Sequence, residues 1–223
     1  MLRILLSSKS ERRLEWLKQN ISSFAVEVNF RPLLTSEINA PQGLEVRNQV
    51  EEVCRHKAIN ACIEQMISER EGGKSFDLIL VSDTMIEDPD DDRLSIGKPE
   101  DILGAASILL RLSGRRHRVW SSTSILLPPW TAHEGEAIEG GWKAQSYTNS
   151  ATVEFSELDD ISIDELVRSG SWKGKAGGYD LAGMAGKYCN VIDGEEVTVL
   201  GISSDAVGML NLILSDKGDF SKL

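Results

Sequence analysis

Cysteine is scarce in this 223-residue chain: Cys54, Cys62 and Cys189 are the only three, and none falls in a C-x-x-C pair. An odd count without paired spacing argues against a disulfide framework. Cys54 and Cys62, eight apart on one helical stretch, read as buried reduced thiols, which suits a reducing, intracellular setting. Histidine is equally sparse, and His56, His117 and His133 form no H-x-H or H-x-x-x-H array, which argues against a zinc site. No apolar run approaches the roughly 18 residues of a membrane helix, and the opening MLRILLSS is too short for a signal sequence. A cytoplasmic protein without a membrane partner is expected. Basic side chains are in deficit, 24 Lys and Arg against 35 Asp and Glu for a net charge of −11, which argues against a nucleic-acid partner. A local cationic pocket stays compatible with that balance. Neither a Walker loop nor a kinase glycine-rich loop is present.

What remains is an ordinary globular composition, 41% hydrophobic and 26% charged. The length suits one domain, 1–223, or two small units sharing a cleft. Arg3–Leu6 reads as a strand, Ser7–Ser10 as a polar turn, and Ser10 as the N-cap of a helix carrying Leu14 and Leu17. Phe24, Val26, Val28 and Phe30 alternate as in a half-buried strand. Residues 44–69 carry a helical stripe ended by Gly72-Gly73. Leu78–Val81 reads as a buried strand stopping at Ser82-Asp83-Thr84. Helices are expected at 100–112, 161–168 and 206–214, and strands at 119–127, 152–155 and 197–200. Residues 128–150 read as an insertion or long hairpin loop. The alternation, with antiparallel-looking pairs in the middle, predicts an α/β or mixed α+β fold.

Several segments could carry chemistry. Ser7–Arg13, at a strand-to-helix junction, offers free N–H groups, hydroxyls and guanidinium groups to a phosphate, or is a serine turn capping a helix. Asp83 at a strand's carboxyl end could bind a metal or act as a base on water, or could cap the turn. Gly97-Lys98-Pro99 holds a lysine in a stiff turn where it can meet a phosphate or simply be solvated. Glu37, in a loop, and Lys57, on the long helix, carry no distinguishing local signal. The acidic cluster from Asp88 to Asp92 lacks calcium-loop spacing and reads as a solvated hairpin. Arg115–Arg118 reads as an exposed basic turn. Residues 175–186 crowd small residues around Tyr179, which suggests packing rather than disorder.

The order of these blocks carries more than any one of them. Leu6–Arg13, Glu37, Lys57-Ala58, Ser82-Asp83-Thr84, Gly97-Lys98-Pro99, Leu112-Ser113-Gly114 with His117, Thr152–Phe155 and Ala176–Tyr179 together resemble the Maf (septum-formation) family over about residues 3–201. The resemblance implies a mixed α/β fold related to inosine triphosphate pyrophosphatases, with two lobes around a central cleft. It implies hydrolysis of a nucleoside triphosphate, such as dTTP, UTP or a modified nucleotide, to the monophosphate and pyrophosphate. It also implies a divalent metal cation (Mg²⁺ or Mn²⁺) and often a homodimer. Carried over, Ser8, Arg12, Arg13, Lys57 and Lys98 would bind the substrate, and Asp83 and Glu37 would serve catalysis and hold the metal. Three departures stand out: Glu11 where the family has proline, Ala182 where it has glutamine, and a closing block in which Asn190-Val191 is separated by an insertion from Gly201-Ile202-Ser203. They motivate an alternative, a nucleotide-binding regulator with weak or no catalysis.

Overall fold

The computed structural model describes residues 1–215. In chain order the elements are β1 (Leu2–Leu6), α1 (Glu11–Asn20), β2 (Val26–Phe30), α2 (Val46–Arg70), β3 (Leu78–Asp88), β4 (Asp91–Ile96) and α3 (Ile102–Leu112). They continue with β5 (Arg116–Leu127), β6 (Glu136–Ala137), β7 (Lys143–Phe155), α4 (Asp160–Arg168), β8 (Cys189–Asp193), α5 (Glu196–Leu200) and α6 (Ser204–Ser215). The sheet runs β2-β1-β3-β5-β7-β6, with β4 on β3 and β8 on β7. β1 pairs in parallel with β2 and β3, whereas β3, β5 and β7 pair antiparallel. The fold is the expected mixed α/β.

Strand period divides the core. Leu5, Ile79 and Val81 point to one face and pack with Cys54, Ala58, Ala61 and Cys62 of α2. Ile4, Leu6, Leu78 and Leu80 point to the other face, against Leu17 of α1 and Leu210, Ile213 and Leu214 of α6. A third core lies at the far ends of the long strands, where Ile86, Val119, Val153 and Phe155 meet Leu109 and Leu112 of α3 and Leu166 of α4. The strands β3, β5 and β7 therefore run from one packed end to the other, and the cleft opens over the middle of β3.

That middle is polar, which explains where the sequence reading stopped short. β3 continues through Ser82-Asp83-Thr84 to Asp88, so Asp83 sits mid-strand, not at a strand end. The run Ser121–Ser124 is buried. Ser121 Oγ donates to Thr198 O at 2.7 Å and Ser82 Oγ to Gly201 O at 2.5 Å, fastening α5 and its C-cap to the sheet. β7 likewise begins at Lys143, inside the segment expected to be a loop. Residues 197–200 are helical rather than a strand, and β8 supplies the last strand instead. Of the segment between Asn190 and Gly201, Val199 and Leu200 line the cleft.

Two charged segments also differ from expectation. The acidic cluster is the β3–β4 hairpin, but Asp88 is buried and takes Arg111 Nε at 3.0 Å and Nη2 at 2.5 Å. The basic run opens β5 rather than an exposed turn: Arg115 pairs with Asp90, Arg116 with Glu154 and Arg118 with Glu87, and His117 is buried.

Candidate functional site

A cleft of about 740 Å³ gathers Ser8, Arg12, Arg13, Glu37, Lys57, Asp83 and Lys98, seven side chains spread over the first hundred residues. Each is delivered by a different local device. β1 ends at Leu6, and Ser8 Oγ then accepts the Ser10 N–H at 3.1 Å while Ser10 Oγ caps α1 through Arg13 N at 3.4 Å. The turn therefore does what a capping serine turn does and also aims the first residues of α1 at the cleft. On α2, Val53, His56, Lys57 and Asn60 follow an i, i+3, i+4, i+7 spacing and share the face that lines it. Asp83 points to the α2 side of the sheet, in phase with Ile79 and Val81.

The charges alternate. Lys98 Nζ lies 3.4 Å from Glu37 Oε2, Lys57 Nζ lies 3.1 Å from Glu37 Oε1, and Lys57 Nζ lies 2.6 Å from Asp83 Oδ1. Burial works against the Lys57 ammonium, but Asp83, by charge and hydrogen bond, and Glu37 raise its pKa overall. Partial burial would raise the Glu37 pKa, yet Lys57 and Lys98 hold it below the usual carboxylate range. Both groups stay ionised at neutral pH.

Arg13 is more deeply engaged than a surface phosphate clamp. It donates from Nη1 to Ser82 O at 3.1 Å and from Nη2 to Thr84 Oγ1 at 2.8 Å, tying α1 to β3. Burial lowers its pKa and the Asp83 charge opposes that shift. Its Nε is buried without a hydrogen-bond partner among the described residues. Arg12 instead reaches Asp180, Nη1 to Oδ1 at 2.8 Å.

Three further residues of the cleft were not among the candidate site residues of the sequence, although Tyr179 stood out there as a packed residue. Lys173, Lys175 and Tyr179 line it from the glycine-dense segment. Gly177, at φ +69°, lets that segment sit against β3, because a Cβ there would meet Ile86 Cδ1 at 2.1 Å; its N–H donates to Gly97 O at 3.0 Å. Tyr179 is buried and meets His117 Nε2 through its hydroxyl at 2.8 Å. Burial pushes the Tyr179 pKa well up and the His117 pKa down to about 4, so both are neutral near pH 7. Ala182 is exposed and lies outside the cleft lining, as does Asp180.

A family model described as Maf-like protein matches residues 3–211. The chain belongs to the Maf-like family. Among its relatives, a dTTP/UTP pyrophosphatase of Dechloromonas aromatica is 32% identical over 213 residues, covering 94% of this chain and 96% of that protein. One of Ruegeria sp. is 32% identical over 199 residues, covering 89% and 87%. For one of Granulibacter bethesdensis, the matched 124 residues are 32% identical and span 56% of this chain and about half, 51%, of the relative. Among solved structures, a HAM1 protein from Coxiella burnetii covers 97% of this chain at 12% identity, with a TM-score of 0.47. No helix among the described residues is long and apolar enough to cross a membrane.

Proposed function

We infer that this Maf-like protein is a nucleoside triphosphate pyrophosphatase that cleaves between the α- and β-phosphates to give the monophosphate and pyrophosphate. The observation that carries the reading is the convergence of Arg12, Arg13, Lys57 and Lys98 with Asp83 and Glu37 on one cleft in an acidic protein. A triphosphate bears close to four negative charges, and a cationic concavity in a chain of net charge −11 is the place for it. Family membership, with relatives named dTTP/UTP pyrophosphatase, supports a pyrimidine nucleotide as substrate.

The residues divide the work. Ser8, Arg12 and Lys98 hold the phosphate chain, and Arg13 fixes the α1–β3 corner behind it while adding its charge. Asp83 accepts the proton of the attacking water as that oxygen bonds to the α-phosphorus and the α–β bridging P–O bond breaks. Lys57 holds the Asp83 carboxylate in place through its 2.6 Å contact before substrate arrives, then offsets charge on the departing pyrophosphate.

A divalent cation, Mg²⁺ or Mn²⁺, fits the donor set. Among the described residues no three His, Cys, Asp or Glu side chains cluster as a closed protein cage. The pair Asp83 and Glu37, both hydrogen-bonded by Lys57, matches an ion that keeps waters and takes phosphate oxygens beside one or two carboxylates. When bound it would polarise the phosphate oxygens. The reading includes a single domain, a cytoplasmic setting and a homodimer, the last to be checked by light scattering.

The deciding assay is pyrophosphate release from dTTP, UTP and methylated triphosphates with Mg²⁺ or Mn²⁺, for the parent and Asp83→Asn. Turnover by the parent and loss in the variant is expected. Triphosphate-induced thermal stabilisation without product would instead favour a nucleotide-binding regulator.

A further inference from the structure

Two of the cations facing the cleft share one carboxylate. Arg12 Nη1 donates to Asp180 Oδ1 at 2.8 Å, and Lys175 Nζ lies 3.2 Å from Asp180 Oδ2. Arg12 and Lys175 both line the cleft, whereas Asp180 does not and its side chain is only 13% exposed. The carboxylate therefore stands behind the two cations and does not occupy the space a phosphate would fill. Lys175 has a second anchor, the Ser171 carbonyl at 2.5 Å, so its place in the wall does not depend on Asp180 alone.

We propose that Asp180 sets the affinity of the cleft for polyphosphate by cancelling one of the two positive charges of the Arg12–Lys175 pair. The proposal rests on the cleft taking a triphosphate and releasing pyrophosphate. With the Asp180 carboxylate between them, Arg12 and Lys175 offer a net single positive charge to the cleft; without it they offer two. Pyrophosphate must leave after each turnover, and product release often limits such cycles. A wall too positive for its product would bind substrate well and turn over slowly. One unit charge at several ångströms in a partly solvated site is worth about tenfold in the binding constant of a polyanion.

The test is calorimetric titration of inorganic pyrophosphate into the full chain, its Asp180→Asn variant and its Lys175→Met variant. Asp180→Asn keeps one oxygen to receive Arg12, while it removes the charge and the oxygen that faces Lys175, which keeps its Ser171 anchor. It is expected to bind pyrophosphate about tenfold more tightly, with a steeper weakening by salt, and to lower both KM and kcat. Lys175→Met is expected to bind about tenfold more weakly. Unchanged or weaker binding by Asp180→Asn overturns the proposal, because Asp180 would then only hold Arg12 in position. Unchanged binding by Lys175→Met, or no binding by the parent, overturns it as well. Absence of triphosphate turnover in the parent would strike the hydrolase reading, and the pyrophosphate titrations would still decide this one.

Discussion

Lys57 Nζ, on α2, stands 2.6 Å from Asp83 Oδ1, on β3, and both side chains are largely withdrawn from solvent. The pair joins the helix to the strand at the floor of the cleft and makes the two residues interdependent. Asp83→Asn removes the proton acceptor, and turnover should fall by roughly 10²–10⁴-fold, the usual reach of a positioned base. Lys57→Met does something different: it leaves a half-buried carboxylate without its cation. It should cost about 1–3 kcal/mol of stability, read as a lower denaturant midpoint, as well as raising KM. If Lys57→Met unfolds at the parent's midpoint, the pair is not coupled in the way the 2.6 Å contact indicates.

Glu37 has no rigid element under it, only the loop between β2 and α2. What fixes that loop is Glu64, two turns beyond Lys57 on α2. Its Oε1 accepts the Leu34 N–H at 2.9 Å, the Thr35 N–H at 3.0 Å and the Thr35 hydroxyl at 2.9 Å. Glu64→Ala should therefore raise the Mg²⁺ concentration for half-maximal activity by roughly tenfold, as losses of groups orienting metal ligands commonly do. Glu64→Gln keeps an oxygen acceptor and should restore the parent value. Equal Mg²⁺ requirements in parent and Glu64→Ala would show that the loop holds Glu37 without this anchor.

Acid should weaken the fold through His117. Its pKa is pushed down to about 4 by burial from an ordinary value of 6.5, so the unfolded chain binds a proton between these values that the native state refuses. Stability is then at its plateau above pH 6.5 and falls as the pH drops toward 4, by about 3 kcal/mol from this one group. Glu37, with its lowered pKa, adds to the loss at the acid end, since its contribution is present above the ordinary carboxylate range and vanishes below its native value. Urea unfolding at pH 7 and pH 4.5 should show the decline in the parent and a shallower one in His117→Gln, which still offers Tyr179 a hydrogen-bond partner. A parallel decline in both proteins would assign the acid sensitivity elsewhere.

The elements easiest to read in the sequence were those whose burial is apolar. Leu78–Val81 and the stripe of α2 announce themselves, and the capping residue Ser10 marks a helix start in the structure as it does in the sequence. The middle of β3 and the first half of β7 do not. Residues such as Asp83 and Thr84 on β3 and Ser146 and Thr148 on β7 are strand residues held by a ladder and by side-chain hydrogen bonds, so no hydrophobic alternation betrays them. Val197-Thr198-Val199 shows the opposite error. Its β-branched residues favour a strand, but the left-handed Gly201 closes a short helix whose Thr198 carbonyl is bound by Ser121.

The site divides along the same line. Residues within recognisable blocks could be named, whereas the Arg12–Asp180–Lys175 group joins positions 168 residues apart and exists only in three dimensions. Asp180 had no local feature to mark it, since an aspartate in a glycine-dense stretch reads as a turn residue.

Gly201 offers the sharpest test that the end of the domain shapes the cleft. It sits at φ +111°, in the left-handed region, and a Cβ there would stand 2.6 Å from Arg13 Nε and 3.0 Å from Thr84 Oγ1. Its carbonyl is also the acceptor for Ser82 Oγ. Gly201→Ala must therefore both strain the backbone and push the Arg13 guanidinium away from Thr84. The expected cost is about 1–3 kcal/mol, or a fall in Tm of roughly 2–12 °C for a chain of this size. Because Arg13 is displaced rather than deleted, KM should rise while kcat changes less. Gly208, on α6, provides the control: a Cβ there meets nothing within 4 Å, and Gly208→Ala in a helix should hold or raise Tm. A Gly201→Ala protein with the parent's Tm and KM would mean that α5 and β3 yield freely, and that Arg13 is not held from behind.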